Sequence, residues 1–139
     1  MDFKLTHFKV QEFVPRLIYE TMGDNAIVLL KTILLITAED IRSFFGKPVT
    51  INNWHSGGAF EFRGFRPAYY TEGAALSEHR LGGAFDCDIR DIPAEEARKA
   101  IIEHQGKFPY LRRMEDGVSW VHCDCRETGK ISIVLFSQG

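Results

Sequence analysis

The chain has 139 residues, 45% of them hydrophobic and 26% charged, with a formal net charge of -2. That size and balance predict one globular domain over residues 1–139, with enough apolar material for a core without disulfide staples. The near-neutral charge excludes the broad basic footprint of a nucleic-acid binder or of a protein held on anionic lipid.

Residues 1–13 mix charges with Phe3, Leu5, Phe8, Val10 and Phe13 and read as a docked arm or short strand. They contain no apolar secretory h-region, so synthesis in the cytoplasm without a signal peptide is expected. Pro15 opens a short helix through Met22, and Gly23 ends it. Asp24 is placed to cap the next helix. Its apolar rhythm runs through Leu29, Leu30, Ile33, Leu34, Ile41, Phe44 and Phe45 to Gly46, with Thr37-x-x-Asp40 as an alternative restart. The greasy run at 26–36 is broken by Lys31 and Thr32 and falls short of the ~20 residues of a membrane span. No membrane insertion is expected.

Pro48 to Asn53 carries the β-branched run Val49, Thr50 and Ile51 and predicts a strand. A long irregular, aromatic-rich section follows from His55 to about Glu78; loops of this length in small domains usually carry function. Ala84 to Ile89 predicts a strand. Pro93 opens a helix from Ala94 to His104, with Glu95 and Glu96 at its positive end. Tyr110 to Met114, Val118 to Arg126 and Ile131 to Phe136 predict three more strands, the last two joined as a hairpin at Glu127-Thr128-Gly129-Lys130. Helices first, then a mostly antiparallel sheet with one inserted helix, give an α+β class. The three cysteines, Cys87, Cys123 and Cys125, are an odd number and a poor disulfide framework. They read as small buried filler, with Cys123 and Cys125 facing away from His122 and Asp124 on a strand.

Chemistry concentrates in Ser77-Glu78-His79-Arg80-Leu81-Gly82-Gly83-Ala84-Phe85-Asp86 and in Trp120-Val121-His122-Cys123-Asp124. The glycine pair permits a tight path between His79 and Asp86. Antiparallel strands about 4.8 Å apart bring Asp86 and His122 within reach of one ion. Two imidazoles and a carboxylate make a three-ligand zinc site with a position left open. Asp88 shares the face of Asp86 and is placed to orient a ligand, or else to pair with Arg90; Asp124 is placed to pair with Arg126.

Ser77-x-His79-x-x-Gly82-x-Ala84-x-Asp86, followed by Trp120-x-His122-x-Asp124, resembles the zinc D-Ala-D-Ala carboxypeptidase and L-alanyl-D-glutamate endopeptidase family. That family has the Hedgehog/DD-peptidase fold and includes phage endolysins; the small phage or prophage form is the nearest. The resemblance covers roughly residues 45–126. It implies Zn2+ held by His79, Asp86 and His122, with Ser77 near the metal. It further implies an arginine that binds substrate, best matched by Arg66, with Arg63 in reserve. His55, between Trp54 and a glycine pair, is a further substrate-binding candidate. Trp54, Phe60, Phe62, Tyr69 and Tyr70 are expected as a wall of the cleft. Many members carry an acidic base three residues before the second histidine, where this chain has Ser119. Glu115 or Asp116 must then serve, and Glu115 has the longer reach.

The implied activity is hydrolysis of an amide bond in peptidoglycan stem peptides by a monomer, acting on the cell wall after release or within a phage particle. Ser119 leaves open a non-catalytic wall-binding or phage structural protein on the same fold.

Overall fold

Residues 3–137 are described by a computed structural model. The amino-terminal arm runs extended into a single 3-10 turn at Val10–Glu12 and buries Phe8, Val10, Phe13 and Val14. Its described residues dock, as expected, but form no strand. Helix α1, Arg16–Met22, starts after Pro15 and stops at Gly23. The following helix departs from expectation at its start. Gly23–Leu29 is a 3-10 stretch, Leu30 and Lys31 are extended, and helix α2 begins at Thr32 and ends at Phe45. Asp24 caps nothing; it accepts a hydrogen bond from the Tyr19 hydroxyl. Thr37 sits mid-helix with its hydroxyl bonded back to the Ile33 carbonyl, so no restart occurs there. The break falls instead at Lys31, whose backbone N–H is taken by the Gly82 carbonyl at 2.9 Å.

Five strands form one mixed sheet: β1 Val49–Thr50, β2 Ala84–Ile89, β3 Arg113–Glu115, β4 Val121–Asp124 and β5 Val134–Phe136. Their order is β1-β2-β4-β3-β5. The pairs β1/β2, β2/β4 and β3/β4 are antiparallel, and β3/β5 is parallel. The expected hairpin between the last two strands is therefore corrected. β4 already has β2 on one edge and β3 on the other, so no edge remains for β5 beside it. The Glu127–Lys130 turn is present, with the Glu127 carboxylate accepting from the Thr128 and Gly129 N–H groups, but it sends the chain past β4 to the outer edge of β3. Helix α3, Ala94–Glu103, connects β2 to β3. The class is α+β, three helices on a five-stranded sheet. Among the described residues no single helix is long and apolar enough to cross a membrane.

The sheet has two chemically opposite faces, because side chains alternate along a strand. Phe85, Cys87 and Ile89 of β2, Met114 of β3, and Val121 and Cys123 of β4 turn to one side and join the core with Leu34, Ile41, Ala97 and Ile101 of α2 and α3. The three cysteines are free and buried there, as expected of filler. Burial holds their thiols protonated: it pushes Cys125 up to about 11 and raises Cys87 and Cys123 well above the ordinary thiol value. The other side carries Asp86 and Asp88 of β2, Arg113 and Glu115 of β3, and His122 and Asp124 of β4. Six polar side chains on one face of three adjacent strands are not a core; they mark this face as the candidate for a site.

The irregular segment from Asn52 to Ser77 crosses that polar face. Asn52, 1% exposed, holds its near end: its side chain donates to the Val14 carbonyl and accepts from the Arg63 N–H. The Arg63 carbonyl accepts from the Asp86 N–H at 2.7 Å, and the Arg66 N–H donates to the His79 carbonyl. The loop is thus stitched to both residues that flank the glycine pair.

Candidate metal centre

His79 is delivered by one 3-10 turn, Glu78–Leu81, capped by the Ser77 hydroxyl, which accepts from the His79 N–H at 3.2 Å. The turn closes on Gly82, whose φ of 73° is left-handed. A Cβ on Gly82 would stand 2.0 Å from the Leu29 carbonyl oxygen, so the chain passes this point only without a side chain. Glu78, buried beside the ligand, is gripped by Lys31 at 2.6 Å and Arg126 at 3.3 Å. That ion cluster ties the turn to the start of α2 and the end of β4.

Asp86 and His122 are direct cross-strand partners in the β2/β4 register. His79 Nε2 lies 3.4 Å from Asp86 Oδ1, and His122 Nδ1 lies 2.8 Å from the same oxygen. One donor atom from each of the three residues lies within 4.8 Å of the others, and all three residues are buried. A tetrahedral ion with bonds of about 2.0–2.1 Å separates its ligand atoms by about 3.3–3.4 Å. The His79–Asp86 gap already has that value, and the His122–Asp86 gap is shorter by the length of a small side-chain adjustment. The remaining ring nitrogens are spoken for. His79 Nδ1 bonds the Gly64 carbonyl at 2.9 Å, so it carries a proton, and Nε2 is the nitrogen turned toward the cluster. His122 Nε2 bonds Asp124 at 2.8 Å, which leaves Nδ1 toward the cluster. The carbonyl that serves His79 belongs to a residue pressed against the arm: a Cβ on Gly64 would meet the Phe13 oxygen at 2.3 Å. In donor chemistry and orientation the three residues fit a divalent cation.

The charges are strongly coupled. Burial would push the Asp86 carboxyl up, but His122 and His79 beside it hold it well below the usual carboxylate range. Burial would push the His122 imidazole down, but Asp124 and Asp86, one on each ring nitrogen, raise it to about 9. Asp124 is lowered against its own burial by His122 and Arg113. A cation bound at His122 Nδ1 takes the place of a proton there, so binding releases one.

The cluster opens on a cleft of about 600 Å³ lined by Arg66, Ser77, Glu115, Trp120, Arg126 and Phe136, among others. Glu115 is 5% exposed, and continuing the β3/β4 register by one residue sets it opposite His122. Asp116 points elsewhere, 3.7 Å from Arg98, and is exposed. Of the two acids proposed as base, the fold therefore brings Glu115 to the cleft and not Asp116. Arg66 lines the cleft but is partly engaged, with Nε on the Phe62 carbonyl and Nη2 at 3.4 Å from Asp86.

Other candidates fall outside. Arg63 grips the exposed Asp88 with both terminal nitrogens and stacks on Phe60, away from the cleft lining. That pairing also removes Asp88 from any role behind a ligand. His55 is exposed in the turn Trp54–Ser56 and packs edge-on against Trp54, so it does not reach the cleft. The five aromatics expected as a wall do not line it either. Phe62 stacks on Tyr70, Phe60 meets Arg63, and Trp54 bonds the Val14 carbonyl. Trp120 and Phe136 supply the aromatic surface instead. The sequence reading also missed Arg113 and Glu78. Arg113 is two residues from Glu115 on a strand and so shares its face, but only the β3/β4 register shows that it meets Asp124.

Comparison of the chain with protein-family models, with curated proteins and with solved structures returned no match.

Proposed function

We propose that this chain is a zinc peptidase of the Hedgehog/DD-peptidase fold that hydrolyses an amide bond in peptidoglycan stem peptides. The observation that carries the reading is the buried His79–Asp86–His122 group at the floor of a cleft, with the Glu115 carboxylate on the neighbouring strand. An N2O donor set with one position left open suits Zn2+. Bound there, zinc would lower the pKa of a water toward about 7 and polarise a carbonyl.

The remaining steps fall to the chain. Glu115 takes a proton from the attacking water and returns it to the leaving amine, as a single carboxylate can when water and amine arrive in turn. Arg66 contributes positive charge at the cleft wall, where the oxyanion develops, while holding Asp86 in place. Ser77 keeps the His79 turn closed. The substrate class and the place of action, on the cell wall after release or in a phage particle, follow from the family resemblance.

Ser119 supports a second reading, a wall-binding or phage structural protein without catalysis. It is exposed and absent from the cleft lining, in the sequence position where many of these peptidases carry their base. One experiment separates the two. Zinc-loaded protein is incubated with purified sacculi, and released peptides are followed by mass. Wild type should release stem-peptide fragments, and Glu115→Gln should lower the rate by about 10²–10⁴-fold at unchanged zinc content. Full zinc occupancy with no cleavage by wild type removes the enzyme and leaves the binding protein.

A further inference from the structure

We infer that Asp124, clamped by Arg113, is the residue that positions His122 for an ion, and that the carboxy-terminal strand β5 is part of the metal centre through Phe136. The inference rests on the metal reading above, and it concerns residues outside the three ligands. Asp124 is fully buried, and a buried carboxylate must be matched by donors. It has four sources. Arg113 reaches it with Nε and Nη2 at 2.8–3.1 Å, the Arg126 N–H donates at 3.1 Å, and His122 Nε2 lies at 2.8 Å.

Arg113 and Asp124 are cross-strand partners, so the clamp is built into the β3/β4 ladder. The guanidinium is in turn covered by the Phe136 ring of β5, 4.2 Å away. The same ring meets the His122 imidazole edge-on at 5.5 Å. Three strands therefore fix one imidazole. An ionised Asp124 accepts only, so Nε2 keeps its proton, and when an ion takes the place of the proton that Nδ1 shares with Asp86 it is Nδ1 that offers the lone pair. An amide in its place can turn either end to the ring and no longer dictates the tautomer.

The test reads zinc affinity, by competition with a chromophoric chelator, and the hydrogen bond from His122 Nε2–H to Asp124, by its proton shift and exchange rate in 15N-labelled, zinc-loaded protein. In Asp124→Asn, zinc should bind about 10–100-fold more weakly, and the Nε2–H proton should shift upfield and exchange faster. Arg113→Lys keeps the charge but loses the two-pronged grip, and Phe136→Leu removes the ring. Both should weaken zinc in the same direction by a smaller factor, and both remain informative if Asp124→Asn does not fold. Asp88→Asn, an exposed acid on the same sheet face, should leave affinity within about twofold. A purely structural role for Asp124 would lower melting temperature with the Nε2–H signal and the affinity unchanged in the folded variants, and that result overturns the inference alone. Wild type that binds no zinc overturns the metal reading and this inference together.

Discussion

At the scale of single residues, the site depends on places where a side chain is forbidden as much as on those where one is required. Gly82 combines a left-handed φ of 73° with a backbone approach to the Leu29 carbonyl. Its own carbonyl takes the Lys31 N–H, so it cannot move without moving the start of α2. Gly82→Ala should cost roughly 1–3 kcal/mol for the backbone conformation alone, and the clash adds to it. Gly106→Ala is the comparison: nothing stands near its missing Cβ, and stability should change by less than about 0.5 kcal/mol. Urea denaturation of the two variants measures the difference. Equal stabilities would mean that the turn before Asp86 is looser than its contacts imply. The sequence showed that the glycine pair permits a tight path. It did not show what the path must avoid, because Leu29 is more than fifty positions away.

At the scale of elements, legibility followed the locality of the signal. Strand β2 and helices α1 and α3 were readable within a residue or two, because their bounding residues, such as Pro15, Gly23 and Pro93, act on their own neighbours. The start of α2 was misplaced because its break is made by a tertiary bond from Lys31 to Gly82. The partner of β5 was misplaced because strand pairing depends on which edges are already occupied.

The docked arm is also a tertiary matter, and one carboxylate holds it. Glu39 on α2 accepts from the Thr6 N–H and hydroxyl, from the His7 N–H, and from the His7 ring at 2.7 Å. Burial would push Glu39 up, but the His7 and Thr6 donors outweigh it and hold its carboxyl below the ordinary value of 4.5. A folded-state pKa below the unfolded one gives stability that is present above the unfolded value and lost as pH falls through the folded one. Glu39→Gln should therefore lower stability at pH 7 by about 1–2 kcal/mol, with the gap to wild type narrowing as pH falls below the unfolded value and on through the lower folded one. Denaturation midpoints in a series from pH 7 down to the lowest pH at which wild type stays folded test this. A gap that persists in acid would assign the loss to packing and not to the charge.

At the scale of the whole molecule, the domain is a sheet with helices on one side and a charged site on the other. The period-2 pattern of β2 and β4 made two of the three candidate ligands legible: Asp86 and His122, with Asp124 beside them, alternate with Phe85, Cys87, Val121 and Cys123, whereas His79 lies on the turn before β2 and was marked by the motif. What surrounds the triad was not legible, since the cleft walls come from β5 and from the Gly73–Ser77 loop, whose positions no local pattern sets. The same architecture would make a cation bound at the triad a cross-link. Its three ligands lie on the turn after the long loop, on β2 and on β4, so an ion held there joins segments that separate on unfolding. A ligand that binds only the folded chain stabilises it by about 2.7 kcal/mol at a hundred times its Kd, which for a domain of this size raises the melting temperature by roughly 10 °C. Zinc should produce that rise and a strong chelator should reverse it. His79→Ala and His122→Ala should abolish the response, whereas His104→Ala, on the exposed end of α3, should retain it in full. A rise of the same size in His79→Ala would mean that zinc stabilises the fold from somewhere other than this cluster.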